Sequence, residues 1–437
     1  MSELGPSAVA AQDVQISVDE ARAHMAQALV PVEGSQQVSL DQALGRVLAD
    51  DLLSPINVPA HDNSAMDGYA FCGADLLANR DTVLRALGST VYAGQPFAGT
   101  LAQGECIRIM TGAVMPPGLD TVVPLELCQV ADAQVTIGAG VVRAGDNRRL
   151  AGEDLTAGRP ALRAGRILRP ADVGLMASLG YTQASVKRRL RVALFSTGNE
   201  LVEPGQPLPP GGIYDSNRFS LMAALQRLHV EVLDFGLVPD DRHALAAAMT
   251  RAVSQADVVL TSGGVSAGDA DYTREVMEQL GAVSFWKVAM RPGRPFAFGA
   301  LRALGHAGSA SPGGSAPAQR TAWLFALPGN PVAALVTFYA LARDGLLRLA
   351  GAQSEPIATL RVRSAQTIRK RPGRTEFQRG RVEPGSDGQW CVHLVGSQGA
   401  GILRSMSEAN ALVVLHHDQK SVEAGDWVDV WLFDGLV

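Results

Sequence analysis

The sequence predicts an α/β multidomain protein. A central doubly wound, mostly parallel sheet domain is joined by an inserted small β domain, a helical N-terminal and linker domain, and a C-terminal β-barrel. Three observations predict this. Apolar strand-like runs alternate with helical segments between residues 191 and 349. A stretch rich in Gly, Pro, Val and Thr interrupts helical sequence from Leu53 to Asn147. Short strand candidates separated by turns follow Gly351. Alternation of this length implies βαβ units with helices on both faces of one sheet.

Each element carries its own signal. Ser17 and Glu20 have the spacing of a capping box, and Ala21, Met25, Ala28 and Leu29 follow with helical period. Ser39 with Gln42 repeats that spacing and predicts a second short helix. Within the insertion, residues 121–124 and 134–137 read as strands. Pro170 opens a short helix, since proline at a first helical position forfeits no hydrogen bond. Residues 191–195, 231–235, 257–260 and 323–326 read as strands, and 217–228, 244–254, 271–280 and 332–349 as helices. The Gly-, Ser-, Ala- and Pro-rich run 306–318 reads as a hairpin tip. Residues 359–362, 377–382, 390–394, 411–415 and 427–431 supply a small barrel. The expected domains are 14–50 plus 148–187 (helical linker), 51–147 (inserted β), 188–354 (α/β) and 355–437 (barrel).

Composition excludes several function classes. The 437 residues are 47% hydrophobic and 19% charged, the balance of a folded chain. The net charge of −5 gives no support to a nucleic-acid or membrane-surface partner. Cys72, Cys106, Cys128 and Cys391 form neither a C-x-x-C pair nor a disulfide framework, so a reducing, cytoplasmic setting is expected. The start of the chain carries Glu3 and Asp13 instead of a basic stretch and an apolar block, and no signal peptide is expected. The longest uncharged run, 323–342, is broken by Pro328 and Pro331, leaving too little helix to cross a bilayer.

In an open parallel sheet, ligands bind beyond the carboxyl ends of the strands. Three predicted strands end there in glycine-bearing turns: Ser196-Thr197-Gly198-Asn199-Glu200, Thr261-Ser262-Gly263-Gly264-Val265-Ser266 and Pro328-Gly329-Asn330-Pro331. Glycine lets backbone approach a ligand, and exposed N–H groups at helix starts favour anions. Three such turns at one edge point to a phosphorylated ligand. Asp269 and Asp271 stand two residues apart after the second turn; either they cap the following helix or, with Glu200 close by, they hold a divalent cation. Asp240-Asp241 reads as a solvated turn. Lys287, Arg291 and Arg294 place three cations in eight residues around a Pro-Gly pair, which suits a tetrahedral oxyanion. Arg374 repeats the Pro-Gly-Arg pattern in the last domain.

Eight segments carry a resemblance: DNSAMDGYA (62–70), RIMTGA (108–113), GED (152–154), FSTGNEL (195–201), YDSN (214–217), SGGVSAGDADY (262–272), RPGRPFAFG (291–299) and LPGNPVAA (327–334). Together, in this order over almost the whole chain, the sequence resembles the molybdopterin molybdenumtransferase family, the bacterial MoeA proteins, and is similar to the E domain of gephyrin. The resemblance implies a four-domain subunit that forms a homodimer, with a molybdopterin-binding type of α/β domain. It implies insertion of molybdate into adenylylated molybdopterin, with Mg²⁺-assisted hydrolysis of the adenylyl bond and release of molybdenum cofactor and AMP. The adenylylated substrate would come from a separate molybdopterin adenylyltransferase. The alternative is a scaffold like the gephyrin E domain, without turnover.

Carried over by position, the resemblance assigns functional roles to the acids Asp154, Glu200, Asp240 and Asp271. It also assigns roles to Lys287 and Arg291, and to Arg374 and Ser397 in the last domain. Asp67 and Thr111 would act across the dimer. Ser262, Gly263, Gly264, Ser266, Arg294, Pro328, Gly329, Asn330 and Gly198 complete the expected binding set, with Mg²⁺ held among Glu200, Asp269 and Asp271. Where many members carry lysines, this chain has Arg291 and Arg294, which favours anion binding over proton donation. Ala333 stands where some members have serine.

Overall fold

A computed structural model describes residues 14–265, 272–302, 320–353 and 356–436. Ser266, Asp269, Asp271 and the run 306–318 lie outside the described residues. The chain forms two compact units. The first runs to Ala49, adds Gly165–Arg169 and resumes at Gln183; the second is Asp50–Ala164 with Pro170–Thr182.

The first unit is organised by a seven-stranded sheet. Its strands are β1 (Val14–Ile16), β2 (Arg191–Thr197), β3 (Glu231–Val238), β4 (Val258–Ser262), β5 (Gly281–Val288), β6 (Pro295–Arg302) and β7 (Thr321–Leu327). They lie in the order β1-β5-β6-β7-β4-β2-β3. Only β6 is antiparallel to its neighbours, so every other strand ends at the edge where β6 begins. β4 is buried along its whole length, as expected of a parallel strand covered on both faces. One face packs against α1 (Val18–Ala28), α2 (Asn217–Arg227), α5 (Pro331–Thr337) and α6 (Arg343–Leu349). The other packs against α3 (Arg242–Gln255) and α4 (Tyr272–Leu280) through Leu245, Met249, Val276 and Met277. The doubly wound sheet is therefore present, with one strand reversed.

The predicted capping box holds: Ser17 Oγ accepts from Glu20 N–H at 3.2 Å, and Glu20 Oε2 accepts from Ser17 N–H at 2.7 Å. The second helix expected near Ser39 is instead one 3₁₀ turn, Leu40–Gln42, because Ser39 makes no capping bond. The long helix expected over 332–349 is interrupted by a π turn, Phe338–Ala342. Arg22 Nε donates to Ala340 O at 2.7 Å, drawing one carbonyl out of the regular ladder.

The last part of this unit is a closed five-stranded barrel made of β8 (Leu360–Ser364), β9 (Thr375–Pro384), β10 (Trp390–Leu394), β11 (Ala411–Leu415) and β12 (Trp427–Leu432). The order β9-β10-β8-β12-β11 returns to β9. Val362, Val392, Val413 and Val430 fill its interior. Its strand β9 also pairs in parallel with Met290–Arg291, from the connection between β5 and β6.

The second unit centres on a six-stranded sheet containing Gly68–Phe71, Thr82–Val91, Glu105–Ile109, Thr121–Pro124, Cys128–Ala131 and Gln134–Ile137. The polar segment 62–70 contributes the start of a fully buried strand, Gly68–Phe71. Its Asn63 and Ser64 pair antiparallel with Arg149 and Arg148, and Tyr69, Ala70 and Phe71 carry the core contacts. Pro170–Ser178 is the expected short helix.

Candidate active site

The carboxyl edge of the seven-stranded sheet opens into a cavity of about 840 Å³. Gly198, Glu200, Asp240, Gly263, Gly264, Arg291, Arg294, Pro328, Gly329, Asn330 and Arg374 all line it. Residues from β2, β4, β7, the β5–β6 connection and the barrel loops thus share one space.

The glycine turns are built tightly. Gly263 and Gly264 have φ of +97° and +71°, and a Cβ at Gly263 would overlap the Thr197 carbonyl. L-residues rarely adopt that backbone, so glycine is required at both positions. Gly263 N–H donates to Leu327 O at 3.0 Å. Asn217 Nδ2 donates to Ser262 Oγ at 2.7 Å and to Gly329 O at 2.6 Å. Ser262, expected at the ligand, is buried and spends its hydroxyl on Pro328 O at 3.3 Å. It ties two loops together and does not line the cavity.

The acids divide their tasks. Asp241 caps α3, accepting from His243 and Ala244 N–H groups at 2.9 and 3.0 Å. That leaves Asp240 to line the cavity, and among the described residues its buried Oδ1 has no hydrogen-bond partner. The turn 240–241 is thus half cap and half cavity wall, not simply solvated. Glu200 folds back over Gly198 on the same wall. Among the described residues no three His, Cys, Asp or Glu side chains form a metal cluster. Two hard carboxylates, one with an orphaned oxygen, nonetheless fit Mg²⁺, which takes one or two carboxylates and keeps several waters.

Cations form a second wall. Arg291 lies in the short strand beside β9, and Arg294 lies in the turn before β6. Gly293, with φ +101°, packs its α-carbon onto Thr337 at the end of α5. Arg374 is held by Glu376, whose carboxylate is 2% exposed and accepts from Arg374 Nε at 2.9 Å. Gln378 Nε2 donates to the second Glu376 oxygen at 3.1 Å. Lys287 lies within β5, opposite Pro295, and does not line the cavity.

The barrel adds residues that the sequence does not single out. Gln398, Gly399 and Ala400 line the cavity, whereas Ser397 does not. Arg379, 1% exposed, organises this loop. It donates to Ser405 Oγ at 3.1 Å and to the carbonyls of Ser397 and Gly399 at 3.2 and 3.1 Å. Burial pushes its pKa down to about 10, with the charge of Arg291 acting in the same direction. No local motif marks residues 398–400; only closure of the barrel brings them to the sheet edge.

In the second unit, Asp67 Oδ1 accepts from both the hydroxyl and the N–H of Thr111, at 2.6 and 2.7 Å. Those two bonds, the hydroxyl first, hold the Asp67 carboxyl below the usual carboxylate range. Asp154 lies exposed in a turn, with its N–H donated to Val58 O at 3.0 Å.

Comparison with known proteins agrees with this architecture. Residues 16–180 match the MoeA N-terminal region (domain I and II), 193–348 the probable molybdopterin binding domain, and 361–433 the MoeA C-terminal region (domain IV). A molybdopterin molybdenumtransferase of Haemophilus influenzae is 38% identical over 429 residues, covering 97% of this chain and 100% of that protein. One from a Nostoc species is 36% identical over 408 residues, covering 91% and 89%. The crystal structure of a molybdopterin biosynthesis MoeA protein from Pyrococcus horikoshii superposes with a TM-score of 0.78 at 26% identity, covering 96% of this chain and all of that one. Three family regions in order, full-length relatives above 30% identity and a matching fold lead to one conclusion: the chain belongs to the molybdopterin molybdenumtransferase family and is a transferase.

Proposed function

We propose that this protein inserts molybdate into the dithiolene of adenylylated molybdopterin and, with Mg²⁺ present, releases AMP and molybdenum cofactor. The observation that supports this reading is the opposition of two carboxylates, Glu200 and Asp240, to three guanidinium groups, Arg291, Arg294 and Arg374, within one cavity. Molybdate and a phosphoanhydride repel each other. At a separation of ~4 Å the cost is on the order of 4 kcal/mol per pair of unit charges, at an effective dielectric of about 20. A site that joins them must supply compensating charge of both kinds.

Glu200 and Asp240 would hold the magnesium ion, together with Asp269 and Asp271 from the sequence. When bound, the ion polarises the phosphoanhydride and offsets its charge. Arg291 and Arg294 hold molybdate: their planar forks match a tetrahedral oxyanion. Arg374, pinned by buried Glu376, fixes the far side of the anion. The glycine turns at 198, 263–264 and 329 bring backbone against the phosphate. Pro328 and Asn330 complete the cavity wall, while Ser262 and the Ser397 carbonyl brace its loops from outside the cavity, and Lys287 and Ser266 keep only the roles that the family resemblance assigns them. In the homodimer, Asp67 and Thr111 of one subunit act at the cavity of the other, and Asp154 keeps the role of a functional acid carried over from the family. The adenylylated substrate is delivered by a separate adenylyltransferase. A cytoplasmic setting is part of this reading, and the free thiols of the four cysteines support it.

The test is direct. The purified protein receives adenylylated molybdopterin, molybdate and Mg²⁺, and AMP is quantified by chromatography. Stoichiometric AMP with active cofactor is expected. Nucleotide binding without AMP release under any molybdate concentration would leave the scaffold alternative instead.

A further inference from the structure

Thr197 ends β2 and lines the cavity, yet its side chain is 5% exposed and its hydroxyl has no hydrogen-bond partner. A buried hydroxyl without a partner forfeits its hydration for nothing in the free protein. The preceding residue shows the ordinary solution: Ser196 Oγ donates to Asp215 Oδ1 at 3.0 Å. Thr197 has no such outlet among the described residues.

The space around it is unusual. Gly198, Gly263, Gly264 and Gly329 surround this end of the cavity. Gly263 is fixed by its own conformation and by the Thr197 carbonyl. Gly329 is different: a Cβ there would meet only Gly263 Cα, at 3.8 Å, an ordinary contact. The described neighbours do not forbid a side chain at 329, so the room left there is free for a ligand. Among the described residues Thr197 thus carries an unpartnered donor while lining the same cavity as Asp240, Glu200 and these glycines, and such a donor suits an oxygen of a phosphoryl group.

Resting on the function proposed above, we propose that Thr197 is a substrate-binding residue whose hydroxyl donates a hydrogen bond to a phosphoryl oxygen of the adenylylated ligand. The hydroxyl then gains on binding the partner it lacks beforehand, and it distinguishes a phosphorylated ligand from the corresponding nucleoside.

Thr197→Val keeps the shape and the β-branch while removing only the donor. Its thermal midpoint is expected to equal or exceed that of the wild type, because an unpaired buried group disappears. Its affinity for AMP, measured calorimetrically, is expected to fall roughly ten- to hundredfold, the size of one bond to a charged acceptor. Thr197→Ser is expected to restore AMP affinity to within a few-fold. Adenosine is expected to bind wild type and Thr197→Val alike. Thr261 also carries a buried, unpartnered hydroxyl but does not line the cavity, so Thr261→Val serves as the control with unchanged AMP affinity. A lowered midpoint in Thr197→Val with unaltered AMP binding would overturn the assignment and leave the hydroxyl structural. Should that variant fail to fold, Thr197→Ala gives the same AMP comparison. Absence of AMP binding by the wild type would overturn the functional reading as well, so the two failures are told apart.

Discussion

The sheet edge of the first unit and the Asp67–Thr111 corner of the second handle their polar groups in opposite ways. At the edge, Asp240 Oδ1 and Thr197 Oγ1 are buried and unpaired beside a large cavity. At the corner, Asp67 already has both donors of Thr111 on one oxygen. Unpaired groups next to space are waiting for a ligand, whereas a closed pair is conformationally settled and offers a second molecule only its free oxygen. On the function proposed above, the contrast favours the edge for the small anions, while the corner brings a preformed pair to its proposed role across the dimer.

The largest expected effect comes from the edge. Asp271→Ala and Asp240→Asn are each expected to lower AMP release at least about a hundredfold while nucleotide binding, followed calorimetrically, survives. Full turnover in either variant would remove that carboxylate from the cation assignment. A sharper form mixes Asp67→Asn with Asp271→Ala subunits. If the corner acts across a dimer, mixed pairs regain turnover at one of two cavities; no recovery on mixing would confine each corner to its own chain. Next, Arg294→Ala is expected to raise the molybdate concentration for half-maximal cofactor formation about tenfold or more. An unchanged molybdate dependence would dismiss the oxyanion role.

Gly293→Ala should cost ~1–3 kcal/mol of stability, because φ is +101° and the new methyl would overlap Thr337. Equilibrium denaturation reads this, and an unaltered midpoint would show that the loop relaxes freely. The smallest effect belongs to the corner. The folded pKa of Asp67 lies below its ordinary value of 3.8, so its contribution is complete above that value. It is lost as pH falls through the lower folded value. The midpoint difference between wild type and Asp67→Asn is therefore expected to stay constant well above 3.8 and to shrink as pH falls below it. A difference independent of pH would mean that the Thr111 bonds do not depend on the charge.

Much of this was legible in the residues alone. Capping of α1, the alternation of β2, β3, β4 and β7 with helices, and the barrel strands follow from local patterns that tertiary packing leaves intact. So do the three glycine turns, because parallel strands share an edge whatever their sequence. Two kinds of feature were not legible. The π turn at Phe338–Ala342 depends on Arg22, more than three hundred residues away by the bond separation of 318. The cavity residues Gln398 to Ala400 reach the site only through barrel closure and the buried Arg379, neither of which has a short-range signature. The assignment of Ser397 missed by one residue for the same reason: its carbonyl serves Arg379, and its neighbour Gln398 faces the space.

The parallel pairing of Met290–Arg291 with Thr375–Glu376 joins the α/β sheet region to the barrel by main-chain bonds. Arg291 and the Glu376 that steers Arg374 are therefore register partners, locked by the same ladder. Evolution cannot exchange one module for a foreign version without re-indexing that seam. A fragment ending before the barrel would keep its acids and lose the alignment of its cations, so catalytic competence is a property of the joined pair and of neither half.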